Sequence, residues 1–120
     1  MNYNPAMPEA QTRLVQGTLD MLILRTLVFG PAHGHAIAKH IQRTSDDALQ
    51  VETGSLYPAL RRLEKDELIE ARWEKSKERN RDLRFYRLTA KGRKHLAAEE
   101  SKWKQLFAGV ARVMWPVEEN

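Results

Sequence analysis

Apolar residues recur at helical spacing from about Val15 to Phe29, at Leu19, Leu22, Ile23, Leu27 and Val28, with Leu24 widening the stripe. A helix this apolar is expected to be buried on two sides. Gly30-Pro31 ends it, because proline cannot continue the hydrogen-bond ladder. A second, shorter helix is expected from about Gly34 to Arg43, with Ile37 and Ile41 on one face and a loop at Thr44-Ser45-Asp46-Asp47. Val51 is expected either in a brief strand or docked on the core. A third helix is expected from about Thr53 to Glu67, because Leu56, Leu60 and Leu63 fall at i, i+4 and i+7 and form one narrow stripe. Its start has two readings. Thr53 suits an N-cap, but Pro58 is comfortable only near a helix start, which would make Ser55 the cap.

The period then changes. Leu68 to Trp73 alternates and reads as a strand, residues 75–82 read as a polar turn, and Leu83 to Leu88 reads as a second strand rich in aromatics. Thr89 is expected to cap a last long helix reaching about Trp115, stopped by Pro116. From Trp103 through Phe107 and Val110 to Met114 its apolar positions are spaced 4, 3 and 4, a heptad-like seam. The order helix, helix, helix, strand, strand, long helix is the plan of a winged helix-turn-helix with an added helix. The expected fold is therefore mostly α with a small β-hairpin. It divides into a flexible N-terminal arm (1–13), a winged helix-turn-helix domain (14–88), a C-terminal dimerisation helix (89–116) and a short tail (117–120).

Charge adds direction to this plan. The net charge is +4, but residues 61–94 carry 13 Lys/Arg against 7 Asp/Glu, while the rest of the chain is slightly acidic. A localised basic surface suits a polyanion such as nucleic acid. With the leucine stripe facing inward, Gly54, Pro58, Arg61 and Lys65 point outward and Ser55, Tyr57 and Arg62 lie on the flanks. Arg61 is placed to donate two hydrogen bonds to a guanine and Tyr57 to pack on a thymine methyl. Arg62 and Lys65 suit phosphates. The hairpin supplies a second basic element through Lys75, Lys77, Arg79, Arg81 and Arg84. A single basic helix is as readily a solvated face; two basic elements emerging together point to DNA.

Several chemistries find no support. The chain has no Cys, which removes disulfides and thiolate metal sites. His33-x-His35 has no nearby carboxylate to complete a metal set. There is no nucleophile with a paired base, no phosphate-cradling glycine loop and no paired carboxylates in an apolar setting, so neither an enzyme nor a cofactor is expected. No apolar run approaches the roughly 18 residues of a membrane span, and the N-terminus does not read as a secretory signal. A cytoplasmic protein without membrane contact is expected.

Four segments, in order, carry a resemblance. They are Gly17-Thr18-Leu19-Asp20-Met21-Leu22-Ile23-Leu24, His33-Gly34-His35-Ala36-Ile37, Gly54-Ser55-Leu56-Tyr57-Pro58-Ala59-Leu60-x-Arg62-Leu63-Glu64, and Tyr86-x-Leu88-Thr89-x-x-Gly92. Together they closely resemble the PadR family of transcriptional regulators over about residues 14–115. The resemblance implies a homodimeric repressor bound to a palindromic operator on double-stranded DNA, in the short branch of the family with one C-terminal helix. There the last helix pairs with the first to form the dimer interface, which would involve Leu96, Trp103, Leu106, Phe107, Val110 and Met114 here. The resemblance also implies a small-molecule effector. In some short relatives an aromatic residue stacks with flat hydrophobic ligands between subunits, which makes Trp103 the candidate effector-pocket residue, with plain interface packing as the simpler reading. Two departures stand out: Glu67 where the family usually has Gly, and His35 where it often has Tyr. The rival class is a winged-helix adaptor that meets an acidic protein through the same surface, without sequence-specific DNA binding. An RNA binder ranks below it, lacking an exposed aromatic platform.

Overall fold

The computed structural model describes the backbone of residues 8–118 and the side chains of residues 17–118. Four helices surround a small sheet. α1 spans Pro8–Leu27, β1 Ala32–His33, α2 Gly34–Thr44, α3 Thr53–Lys65, β2 Ile69–Ser76, β3 Arg81–Leu88 and α4 Ala90–Met114. The sheet is antiparallel in the order β1-β3-β2.

α1 begins earlier than the periodicity suggests. Residues 8–13, expected in a flexible arm, belong to the helix, and the remainder of that arm, residues 1–7, lies outside the described residues. Pro8 fits the first helical position, where its missing amide costs nothing. The α1 stripe buries Leu19, Ile23, Leu24 and Leu27. The helix stops in a tight final turn: the amides of Val28, Phe29 and Gly30 donate to the carbonyls of Arg25, Thr26 and Leu27 at 3.2 Å. Gly30 then takes φ +135°, open only to glycine.

Ile37 and Ile41 of α2, Leu56, Ala59, Leu60 and Leu63 of α3, and Ile69, Tyr86 and Leu88 of the hairpin close on the same core. Val51 docks on it and forms no strand. β1 was not expected. Two residues carry no readable period, and Ala32 and His33 become a strand only because Tyr86 and Phe85 lie opposite them. The wing strands run further than the sequence pattern implies, to Ser76 and from Arg81, because paired charged residues extend the ladder into solvent.

The end of α3 explains the unusual Glu67. The Leu68 amide reaches back to the Leu63 carbonyl (2.9 Å) and the Glu67 amide to Glu64 (3.0 Å). This is a Schellman stop, with buried Leu63 and Leu68 in the positions of its apolar contact. Glu67 sits at φ +62°, the left-handed position normally held by glycine. α4 is clamped just beyond. The Thr89 amide donates to the Leu68 carbonyl (3.1 Å), and the Thr89 hydroxyl donates to the Glu67 carbonyl (2.7 Å) and accepts from the Gly92 amide (2.9 Å). A Cβ on Gly92 would stand 2.0 Å from the Leu68 carbonyl oxygen. That close approach is the physical content of the Leu-Thr-x-x-Gly motif.

Candidate nucleic-acid interface

α3 is held by its buried leucines, with α1 behind it and the hairpin beside it. Glu52, in extended backbone, occupies the N-cap position and makes no side-chain capping bond, so neither Thr53 nor Ser55 is the cap; Thr53 is the first helical residue. Pro58 is accepted inside the helix, at the loss of one backbone bond. Gly54, Tyr57, Pro58, Arg61 and Lys65 are exposed on the face opposite the core, and Ser55 is half-buried on its flank.

Tyr57 leans onto the start of α2. A Cβ at Gly34 would meet the Tyr57 hydroxyl at 2.9 Å, which accounts for a glycine between two histidines there. Arg62 does not join the exposed group. Its guanidinium donates to Asp20 of α1 at 2.9 Å, so the charge expected on a DNA phosphate is engaged within the protein. Burial pushes the Asp20 carboxyl above the usual carboxylate range, and Arg62 offsets part of that cost.

The wing approaches α3 from one side. Lys75, Lys77, Arg79 and Arg81 are exposed around the turn at residues 77–80. Buried Ser76 accepts from the Arg79 amide (3.3 Å), and Asn80 takes the left-handed conformation (φ +50°). Arg84 departs from expectation. It donates to Glu64 of α3 at 2.6 Å and ties the wing to the recognition helix instead of standing free for DNA.

Between α2, α3 and the wing lies an open cleft of about 420 Å³. His33 enters it from the end of β1, His35 from α2, Tyr57 and Arg61 from α3, and Trp73, Arg79 and Arg81 from the wing. The sequence argument brought Tyr57, Arg61, Arg79 and Arg81 to one place but missed the two histidines and Trp73. The available signals were the His-x-His pair just before the recognition helix and a lone tryptophan in a charged strand. His33 caps α2 by accepting the Ala36 amide at Nδ1 (3.3 Å), and its ring meets Phe85 edge-on at 5.5 Å. Burial lowers the His33 pKa, and Arg79, His35 and Arg81 add to that effect.

The distal half of α4 has a different character. Leu106, Phe107, Val110, Val113, Met114 and Trp115 are exposed. Leu96, expected at a dimer interface, is instead buried in the core of its own chain (6% exposed), because the Thr89 clamp turns this part of α4 inward. Trp103 is half-buried, edge-on to Phe107 at 5.0 Å, and lines a cavity of about 250 Å³ between α1 and α4 with Asp20, Met21, Leu24, His95 and Glu99.

Comparison with known proteins agrees with this geometry. Residues 23–98 match the transcriptional regulator PadR-like family. A PadR family transcriptional regulator from Eggerthella lenta is 31% identical, covers 91% of this chain and 92% of its own, and superposes with a TM-score of 0.71. A transcriptional regulator from Clostridium thermocellum is 25% identical over 83% of this chain and 96% of its own, with a TM-score of 0.74. Uncharacterised protein X from Lysinibacillus sphaericus is 28% identical over 93 residues, 78% of this chain and 84% of its own. No helix among the described residues is long and apolar enough to cross a membrane. With a basic helix face and a basic wing opening onto one cleft, and with this match across most of its length, the chain belongs to the PadR-like family of transcriptional regulators.

Proposed function

We propose that the protein is a cytoplasmic repressor that binds a palindromic operator as a homodimer and blocks transcription by occupying it. The observation that carries this reading is the convergence of Arg61 and Tyr57 with Arg79 and Arg81 on a single cleft. Helix and wing would grip the duplex together, α3 in the major groove and Lys75, Lys77, Arg79 and Arg81 along the backbone. The exposed apolar row of α4 supports the dimer: Leu106, Val110, Val113 and Met114 line a shallow groove on that helix. Two copies would present their recognition helices about 34 Å apart, matching half-sites one turn apart. Much of the affinity would come from Lys/Arg–phosphate contacts and would fall steeply with salt. The cavity beside Trp103 is the candidate seat of a small planar or hydrophobic effector that relieves repression.

Selection of bound duplexes from a random pool tests binding, spacing and specificity together; a palindromic consensus is expected, and no enrichment overturns the reading. On the selected site, Arg61→Ala should cost about 1–3 kcal/mol and relax preference at one base pair, whereas Lys77→Ala should weaken all sequences alike. Arg62→Ala should leave base preference intact, because Asp20 holds that side chain. For the effector, planar aromatic compounds are titrated against the fluorescence difference between wild type and Trp103→Phe. Unchanged difference emission with every compound removes that part of the proposal.

A further inference from the structure

His33 and His35 have no part in the helix-and-wing reading, yet both face the cleft. Their rings stack with an interplanar angle of 3° and a centroid separation of 6.4 Å. Cations dominate their surroundings. Arg79 and Arg81 approach from the wing, Arg61 and the Tyr57 hydroxyl from α3, and Arg84 stands on the cleft wall. The carboxylate of Glu64 in the same lining is already bonded to Arg84 at 2.6 Å. Glu78 acts on His33 in the opposite direction from the arginines, less strongly than Arg79 and more strongly than Arg81. The Nε–H of Arg84 is buried and has no hydrogen-bond partner among the described residues. Donors thus crowd the cleft, and its acceptor is taken.

We propose that this cleft seats one backbone phosphate of the DNA duplex, with His33 of β1 and His35 of α2 as ligands of that phosphate alongside Arg79 and Arg81 of the wing. The inference rests on the reading that this face meets DNA. It extends the interface to a third element and makes the reading surface one continuous concavity from α2 through α3 to the wing.

A proton follows from the site. In the free protein, burial and the neighbouring cations hold the His33 imidazole below its usual range. A phosphate entering the cleft reverses the local field and favours the charged imidazole, whose protonated Nδ1 then releases the Ala36 amide. Complex formation therefore takes up protons, and affinity rises as pH falls through the interval between the free and bound histidine values.

The test is the affinity of the full-length protein for a short duplex at constant ionic strength, with proton uptake measured by calorimetry in two buffers of different ionisation heat. Wild type should bind about three- to tenfold more tightly at about pH 6 than at about pH 7.5, with net proton uptake. The His33→Asn/His35→Gln variant should lose most of that dependence and bind more weakly than wild type at about pH 6. Asn keeps an acceptor for the α2 cap, and a thermal melt checks that the fold is retained. A pH-independent wild type, or an equal slope in the variant, overturns the proposal and leaves DNA binding standing. Failure of wild type to bind any duplex at either pH overturns the DNA reading and this proposal with it.

Discussion

The winged domain and the distal half of α4 dispose of their apolar residues in opposite ways. In the domain, Ile23, Leu24, Ile37, Leu60 and Ile69 are all but inaccessible; among its large exposed side chains Tyr57 and Trp73 stand in the cleft between helix and wing, and Phe29 lies beside His40 and Arg25. From Leu106 to Trp115 the end of α4 and its cap instead leave six large apolar side chains exposed. Removing apolar surface from water is worth about 25 cal/mol per Å², so a row of this kind on one helix suits the self-association proposed above. The domain satisfies itself; the distal helix does not. The contrast separates the part of the molecule that folds around its own core from the part whose apolar side chains stay in water unless, as proposed, a second copy covers them.

The two regions meet at the Thr89–Gly92 clamp, and the strongest way to break the comparison is to break that junction. Gly92→Ala puts a methyl where the Leu68 carbonyl oxygen lies 2.0 Å away. Overpacking against backbone should cost about 3 kcal/mol, lowering the melting temperature even though alanine is the better helix former. A second substitution sharpens the difference by acting on one side only. Phe107→Asp should weaken self-association by about 2 kcal/mol or more, seen as a shift toward monomer in sedimentation, with the domain's near-ultraviolet signal preserved. If the variant sediments as wild type, the exposed row is not the interface. The smallest effect lies wholly within the domain. Glu67→Gly relieves left-handed strain at φ +62° and should stabilise the fold by about 0.5 kcal/mol in denaturant unfolding, without altering association.

Much of the fold was legible in the chain because local rules and tertiary demands agree. The leucine stripe of α3, the stop at Gly30, the Thr89 cap and the two strands of the wing were all readable, since each is fixed by spacing or by one residue's backbone preference. Glu67 was legible as an anomaly, and the Schellman geometry at that position shows why glycine would suit it. The candidate interface was less legible. Arg62 and Arg84 look from spacing like DNA contacts, because a helical wheel knows only direction. Asp20 and Glu64 come within hydrogen-bond reach of them through packing between α1, α3 and the hairpin. Leu96 misled for the same reason: it belongs to a heptad-like helix, but the clamp turns its end of that helix into the core.

The sequence by itself determined the element order, the inward faces of α1 and α3, the wing and the concentration of basic charge, because periodicity and composition are properties of the chain alone. Only the tertiary structure decided which arginines remain free, that β1 exists, that Tyr57 rests over Gly34, and that His33 and His35 share a cleft with Arg79 and Arg81. Those are distances between residues far apart in the chain, and they are set when the core closes.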